Sequence, residues 1–297
     1  MFDATIPPVL TVHSGDTVVI ETVSGKGEAL PPKSSGLYSP PALYAINEAG
    51  LPMLGPHILT GPVAIAGAMP GDMLEVQIDA IEFGADWGYC GMRTLGGTLP
   101  EDFPFNQVDI IPIDRTRRVC KLPWGTELPL APFFGVIGVA PKPAYGRLST
   151  VQPREHAGNL DNKELVAGAT LYLPVWAEGG LFSCGDGHGV QGDGEVCINA
   201  LETSLTGTFT FILHKGAGLT FPRAETPTHY ISMGMDADLD IAMKMALREM
   251  IKFICSRTNL APEQAYRFCS LAVDFHVTQS VNGEKGIHGM LKKGLLF

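Results

Sequence analysis

Apolar and polar residues alternate along much of this chain, and a two-residue period predicts strands. Leu74, Val76 and Ile78 alternate with Glu75, Gln77 and Asp79, which is how a half-buried strand is written. Residues 206–214 repeat the device, with Phe209, Phe211 and Leu213 set against Thr208, Thr210 and Ile212. Residues 10–13 and 17–23 read as strands on either side of a Ser14-Gly15-Asp16 turn. A second Gly-Asp turn, Gly71-Asp72, opens the run at Met73. Residues 133–140 are apolar without alternation, as in a strand buried on both faces.

Spacings of three to four residues appear only late in the chain. Leu239, Met243, Leu247, Met250 and Ile254 make one apolar stripe and predict a helix over residues 236–258. Asp236 or Asp238 suits its start and Asn259 its end. Pro262-Glu263 opens a shorter helix. Strand character returns over 273–281, with Val273, Phe275 and Val277 on one face, before the turn pair Asn282-Gly283. Residues 24–56 carry Pro31, Pro32, Pro40, Pro41, Pro52 and Pro56 and read as a long irregular segment. These elements predict a β-dominated α+β chain, with sandwich- or barrel-like sheets and a late helical segment. A β-rich part over 1–145 and a second part over 146–297 are expected to intertwine as one compact unit.

Composition narrows the possibilities. Of 297 residues, 45% are hydrophobic and 18% charged, enough for a sizeable core, and 35 glycines with 23 prolines fit many turns. A formal charge of −10 without a Lys/Arg cluster argues against a nucleic-acid partner. No apolar run approaches the roughly 20 residues of a membrane span, and residues 1–5 lack the features of a signal peptide. Six cysteines without a CxxC pair read as free thiols, so the expected location is the cytoplasm.

The densest chemistry lies in Gly185-Asp186-Gly187-His188-Gly189-Val190-Gln191-Gly192-Asp193-Gly194-Glu195. Asp186 and His188 are two residues apart, as are Asp193 and Glu195, so on extended backbone each pair shares a face. Converging oxygen and imidazole donors suit a divalent metal. The competing reading is a glycine-rich turn whose carboxylates only bind backbone N–H groups. Further polar residues stand between Gly and Pro punctuation: His57, the run from Glu155 and His156 to Asp161 and Glu164, and His288.

In order along the chain, these segments resemble the acetamidase/formamidase family. The matching runs are Gly55-Pro56-His57, Thr60-Gly61-Pro62, Pro70-Gly71-Asp72, Gly158-Asn159-Leu160-Asp161 with Lys163-Glu164, and Gly168-Ala169-Thr170-Leu171-Tyr172-Leu173-Pro174-Val175. Gly185-Asp186-Gly187-His188, Gly192-Asp193-Gly194-Glu195, Val277-Thr278-Gln279 and Gly286-Ile287-His288 complete the set. The resemblance implies a β-rich cytoplasmic hydrolase releasing ammonia from formamide, acetamide or a similar short amide, and a homodimer or higher homo-oligomer. The chain departs from many relatives at Gly189-Val190-Gln191, where alanines are common, and in the bulkier run Gly180-Leu181-Phe182-Ser183-Cys184.

Motif and resemblance together point to a divalent ion, zinc before calcium, held by His57, Asp161, Asp186 and His188. Glu195 is the expected general base, with Asp193 as its alternate or as a partner to a histidine. His156 or His288 is placed to protonate departing ammonia. The alternatives are a hydrolase of carbamates or cyclic amides and a calcium-stabilised β-module without catalysis.

Overall fold

The computed structural model describes residues 1–296 and places two sheets around one core. The first sheet has ten strands and the second eight. Both draw on each half of the chain. In the first sheet, Leu59–Ile65, Trp87–Met92 and Phe133–Gly138 lie with Phe182–His188 and Glu202–Thr203. In the second, Met73–Phe83 is sandwiched between Thr170–Pro174 and Leu205–His214.

Alternation determines which face is buried. Along Met73–Phe83 the residues Leu74, Val76 and Ile78 are buried, and along Leu205–His214 so are Phe209 and Phe211. These meet the first sheet at an aromatic cluster: the Phe182 ring lies 5.5 Å from Phe209 and 5.0 Å from Phe211, and Phe134 lies 5.4 Å from Phe209. Phe133–Gly138 is buried at every position, as its unbroken apolar run predicts. The strands before and after Gly15 do not form a hairpin. Leu10–Val12 pairs in parallel with Leu59–Ile65, whereas Thr17–Glu21 pairs with Leu205–His214 in the other sheet.

Helix α1, Pro41–Ala49, lies inside the proline-rich segment read as irregular. Pro41 occupies the first helical position, where its missing N–H costs nothing, and Gly50 ends the helix at φ 58°. Helix α2, Leu239–Arg257, begins at Asp238, whose side chain accepts from the N–H groups of Asp240 and Ile241. Its fully buried residues are Ala242, Ala246, Met250 and Ile254, while Leu239, Met243 and Leu247 flank them half-buried. The small residues face the sheet because the helix backbone approaches Gly234 closely. A Cβ there would collide with the Ala242 carbonyl and lie 2.5 Å from the Ala246 nitrogen. Helix α3, Pro262–Ala272, follows and leads into the hairpin of Val273–Gln279 with Lys285–Lys292. Among the described residues no helix is long and apolar enough to cross a membrane.

Candidate metal centre

Strand Phe182–His188 carries the site. Gly185 pairs with Val136 and Gly187 with Phe134, so Asp186 stands opposite Gly135. Gly135 leaves the space into which the polar side chains converge. A Cβ on it would lie 2.6 Å from Asp161 Oδ1, 2.7 Å from His188 Cε1 and 2.8 Å from Asp186 Oδ2. The Gly135 carbonyl also accepts from the Asp161 N–H at 3.1 Å, which draws the 157–165 loop onto the strand.

The backbone turns through positive φ at three of the acidic residues. Asp161, Asp186 and Glu195 have φ of 47°, 54° and 45°, in the left-handed region that few non-glycine residues adopt. Asp193 and Glu195 therefore do not share a face as they would on extended backbone. Gly194 at φ 91° followed by Glu195 parts them. Glu195 turns into a buried cavity, and Asp193 turns outward to Lys163 Nζ at 3.1 Å and His276 Nδ1 at 3.2 Å.

The cavity has a volume of about 140 Å³, and His57, Asp161, Asp186, Glu195 and Glu202 all line it. His188 Nε2 lies 3.4 Å from Asp186 Oδ2, 3.2 Å from Glu202 Oε1 and 3.9 Å from Asp161 Oδ1. His57 Nε2 lies 3.6 Å from the same Asp186 oxygen. Donor atoms of Asp161, Asp186 and His188 fall within 4.8 Å of one another, as do those of His188, Glu195 and Glu202. Asn282 Nδ2 donates to Asp161 Oδ2 at 2.5 Å and fixes that carboxylate.

These groups fit a cation. Asp161 Oδ1, His188 Nε2, Glu195 Oε2 and Glu202 Oε2 are buried with no hydrogen-bond partner, although buried polar atoms are normally satisfied. His57 Nδ1 lies 3.0 Å from the Thr150 carbonyl and so donates to it, leaving the Nε2 lone pair of the neutral ring facing a carboxylate oxygen. A cation between the two atoms, or a proton on Nε2, satisfies both. Burial lowers the basicity of His57, against the pull of Asp186, and favours that neutral ring. A set of imidazoles and carboxylates without thiolate suits zinc better than the all-oxygen shell of calcium.

Crowded buried carboxylates disturb one another in the absence of such an ion. Burial pushes Asp161 up to about 7, with Asp186 adding to it and His188 opposing. Burial likewise raises Glu202 to about 7, and burial with Asp161 raises Glu195 well above the carboxylate range. Asp186 goes the other way. Burial alone would raise it, but His57 and His188 together hold it below the ordinary range.

Two histidines singled out in the sequence lie elsewhere. His156 is buried edge-on against Phe2, and neither of its ring nitrogens has a partner. His288 is buried on Lys285–Lys292, bonded through Nδ1 to Thr278 Oγ1 at 2.8 Å and stacked on His276. Neither lines the 140 Å³ cavity. Glu202 and Asn282 do line it without having been singled out as site residues. Glu202 reaches the site through register alone, since it pairs directly with His188.

The fold and this site define a class. A sequence model of the acetamidase/formamidase family matches residues 2–147 and 143–285, and the chain belongs to that family. Among solved structures, an acetamidase from Bacillus halodurans is 32% identical with a TM-score of 0.83, covering 98% of this chain and 94% of its own. A predicted acetamidase/formamidase from Thermoanaerobacter tengcongensis is 27% identical with a TM-score of 0.86, covering 99% of this chain and 93% of its own. A formamidase from Methylophilus methylotrophus is 26% identical over 242 residues, 64% of this chain. The match spans 57% of that relative's own length.

Proposed function

We propose that this protein hydrolyses a short aliphatic amide, of the formamide or acetamide kind, to carboxylate and ammonia. Family membership supports the reaction class. One observation carries the reading: unpartnered oxygens of Asp161, Glu195 and Glu202 belong to residues lining a cavity of about 140 Å³, large enough for an amide of a few heavy atoms, and the unpartnered His188 Nε2 lies against Asp161 and Glu202. His57, Asp161, Asp186 and His188 are the proposed ligands of a divalent ion, zinc by the donor set, with Glu202 beside them. When bound, such an ion polarises a carbonyl and lowers the pKa of water to about 7.

The chain's own residues supply the rest. Glu195 Oε2 is buried at the edge of the ligand group and has no other partner, which suits it to take a proton from water and return it to the amide nitrogen. Asn282 keeps Asp161 turned toward the ligand group. Tyr89 and Ile58 wall the cavity, and its small volume limits the acyl group. Asp193 acts at one remove in this scheme, holding Lys163 and His276. His156 and His288 take no proton-transfer role in it.

The test is ammonia release from formamide, acetamide, propionamide and urea, before chelation, after it, and after zinc is restored. Release that chelation abolishes and zinc restores is the expected result. Release indifferent to a chelator that demonstrably strips the ion would remove the metal from the reaction. No release from any amide by zinc-loaded protein would remove the proposed activity.

A further inference from the structure

The metal reading leaves open what holds His188 in place as a ligand, and Gln191 answers that. Its side-chain amide spans two of the proposed ligand residues. Gln191 Nε2 donates to the Asp161 carbonyl at 2.7 Å and lies 3.4 Å from the Thr278 carbonyl. Both oxygens only accept, so the NH₂ end of the amide has to face them. The other end, Oε1, then faces His188 Nδ1 at 2.9 Å. An amide oxygen only accepts, so Nδ1 carries a proton and donates it.

The consequence falls on the far side of the ring. With Nδ1 protonated in the neutral ring, Nε2 presents its lone pair. Nε2 is the buried, unpartnered atom among Asp161, Asp186 and Glu202. Phe133 packs edge-on against the same ring, with centroids 5.0 Å apart, so the imidazole has little freedom to rotate. We infer that Gln191 is a positioning residue that fixes His188 as an Nε2 ligand and ties its ring to the backbone of Asp161. This rests on the metal-centre reading above. A single half-buried amide sets the tautomer of one proposed ligand and the place of another.

Outer partners of this kind typically change metal affinity by roughly 10–100-fold when they are lost. Gln191→Met keeps the size and removes both hydrogen-bonding ends. Gln191→Glu keeps an acceptor for the Nδ1 proton and loses the donor to the two carbonyls. Zinc affinity, measured by competition with a chromophoric chelator, is expected to fall by roughly 10–100-fold in Gln191→Met. Gln191→Glu should bind more tightly than Gln191→Met. In the zinc-loaded wild type, nitrogen-15 shifts of the His188 ring should show a proton on Nδ1 and a metal-bound Nε2.

Each result decides something. Wild-type protein that takes up no zinc overturns the metal centre and this role with it. Zinc binding by the wild type that Gln191→Met matches within about twofold overturns the role of Gln191 alone. Should Gln191→Met fail to fold, the wild-type ring shifts still decide. A His188 ring that binds zinc through Nδ1, or carries its proton on Nε2 in the zinc-loaded protein, overturns the inference.

Discussion

Asp161, Asp186 and Glu195 all sit at positive φ, a conformation that costs each about 1–3 kcal/mol and persists only where neighbours over-determine it. That cost has a use. At Asp186 it lets a carboxylate leave a strand whose every residue is buried and reach His57 and His188 together. Asp186→Asn keeps a side chain that tolerates left-handed backbone and removes the charge. Turnover and zinc content should fall by more than roughly 100-fold, as ammonia release and metal analysis would show, with a fold that melts cooperatively near the midpoint of the chelated wild type. Gly135→Ala tests the space instead of the charge. Its Cβ would lie within 2.8 Å of three site side chains, so zinc should be lost although no ligand is altered. These two residues mark how far the sequence could be read. Asp186 stands in a conspicuous Gly-Asp-Gly-His run, whereas Gly135 sits in an apolar strand and looks like any other packing glycine. Glu202 gives no local signal either, because only cross-strand register sets it against His188.

At the level of elements, period-2 runs were legible and close backbone contacts were not. The stripe from Leu239 to Ile254 locates helix α2, yet its sheet-facing side is set by Ala242 and Ala246, since Gly234 brings the two backbones together. Gly234→Ala should therefore destabilise the protein by about 1–3 kcal/mol in chemical denaturation, far more than an exposed alanine substitution. Helix α1 was hidden because prolines that punctuate a loop also start a helix. The Gly71-Asp72 turn carries a pH dependence. Asp72 accepts from the Met69 and Gly216 N–H groups, each at 2.8 Å, and from Lys215 Nζ at 2.5 Å. Burial alone would raise this carboxyl, but Lys215 and the two N–H groups outweigh it and hold it below the ordinary range. A carboxyl depressed in the folded state stabilises above its unfolded pKa, and that stability is lost as pH falls through the folded value. Asp72→Asn should cost about 1 kcal/mol at pH 7, and the gap from wild type should close below about pH 4 in paired melts.

Across the whole molecule, the proposed ligands come from places far apart in the chain: His57 after the proline-rich segment, Asp161 in a loop, and Asp186 and His188 on a strand, with Glu202 beside them on the next. The unfolded chain has no means of holding these groups together, so an ion that binds them in the folded state stabilises that state by linkage. At a free concentration 100 times its dissociation constant, the gain is about 2.7 kcal/mol. Such an ion would also relieve a cost. The metal-free fold crowds Asp161, Asp186, Glu195 and Glu202 around two imidazoles, with unpartnered buried oxygens on three of those four carboxylates. Chelation should therefore lower the thermal midpoint, and zinc should raise it with the logarithm of its free concentration. In Asp186→Asn, with one ligand charge gone, the response to zinc should shrink. Scanning calorimetry of both proteins across a zinc series separates this account from a purely structural role for the carboxylates. A midpoint that ignores chelation in the wild type would mean that the fold accommodates these buried acids without an ion.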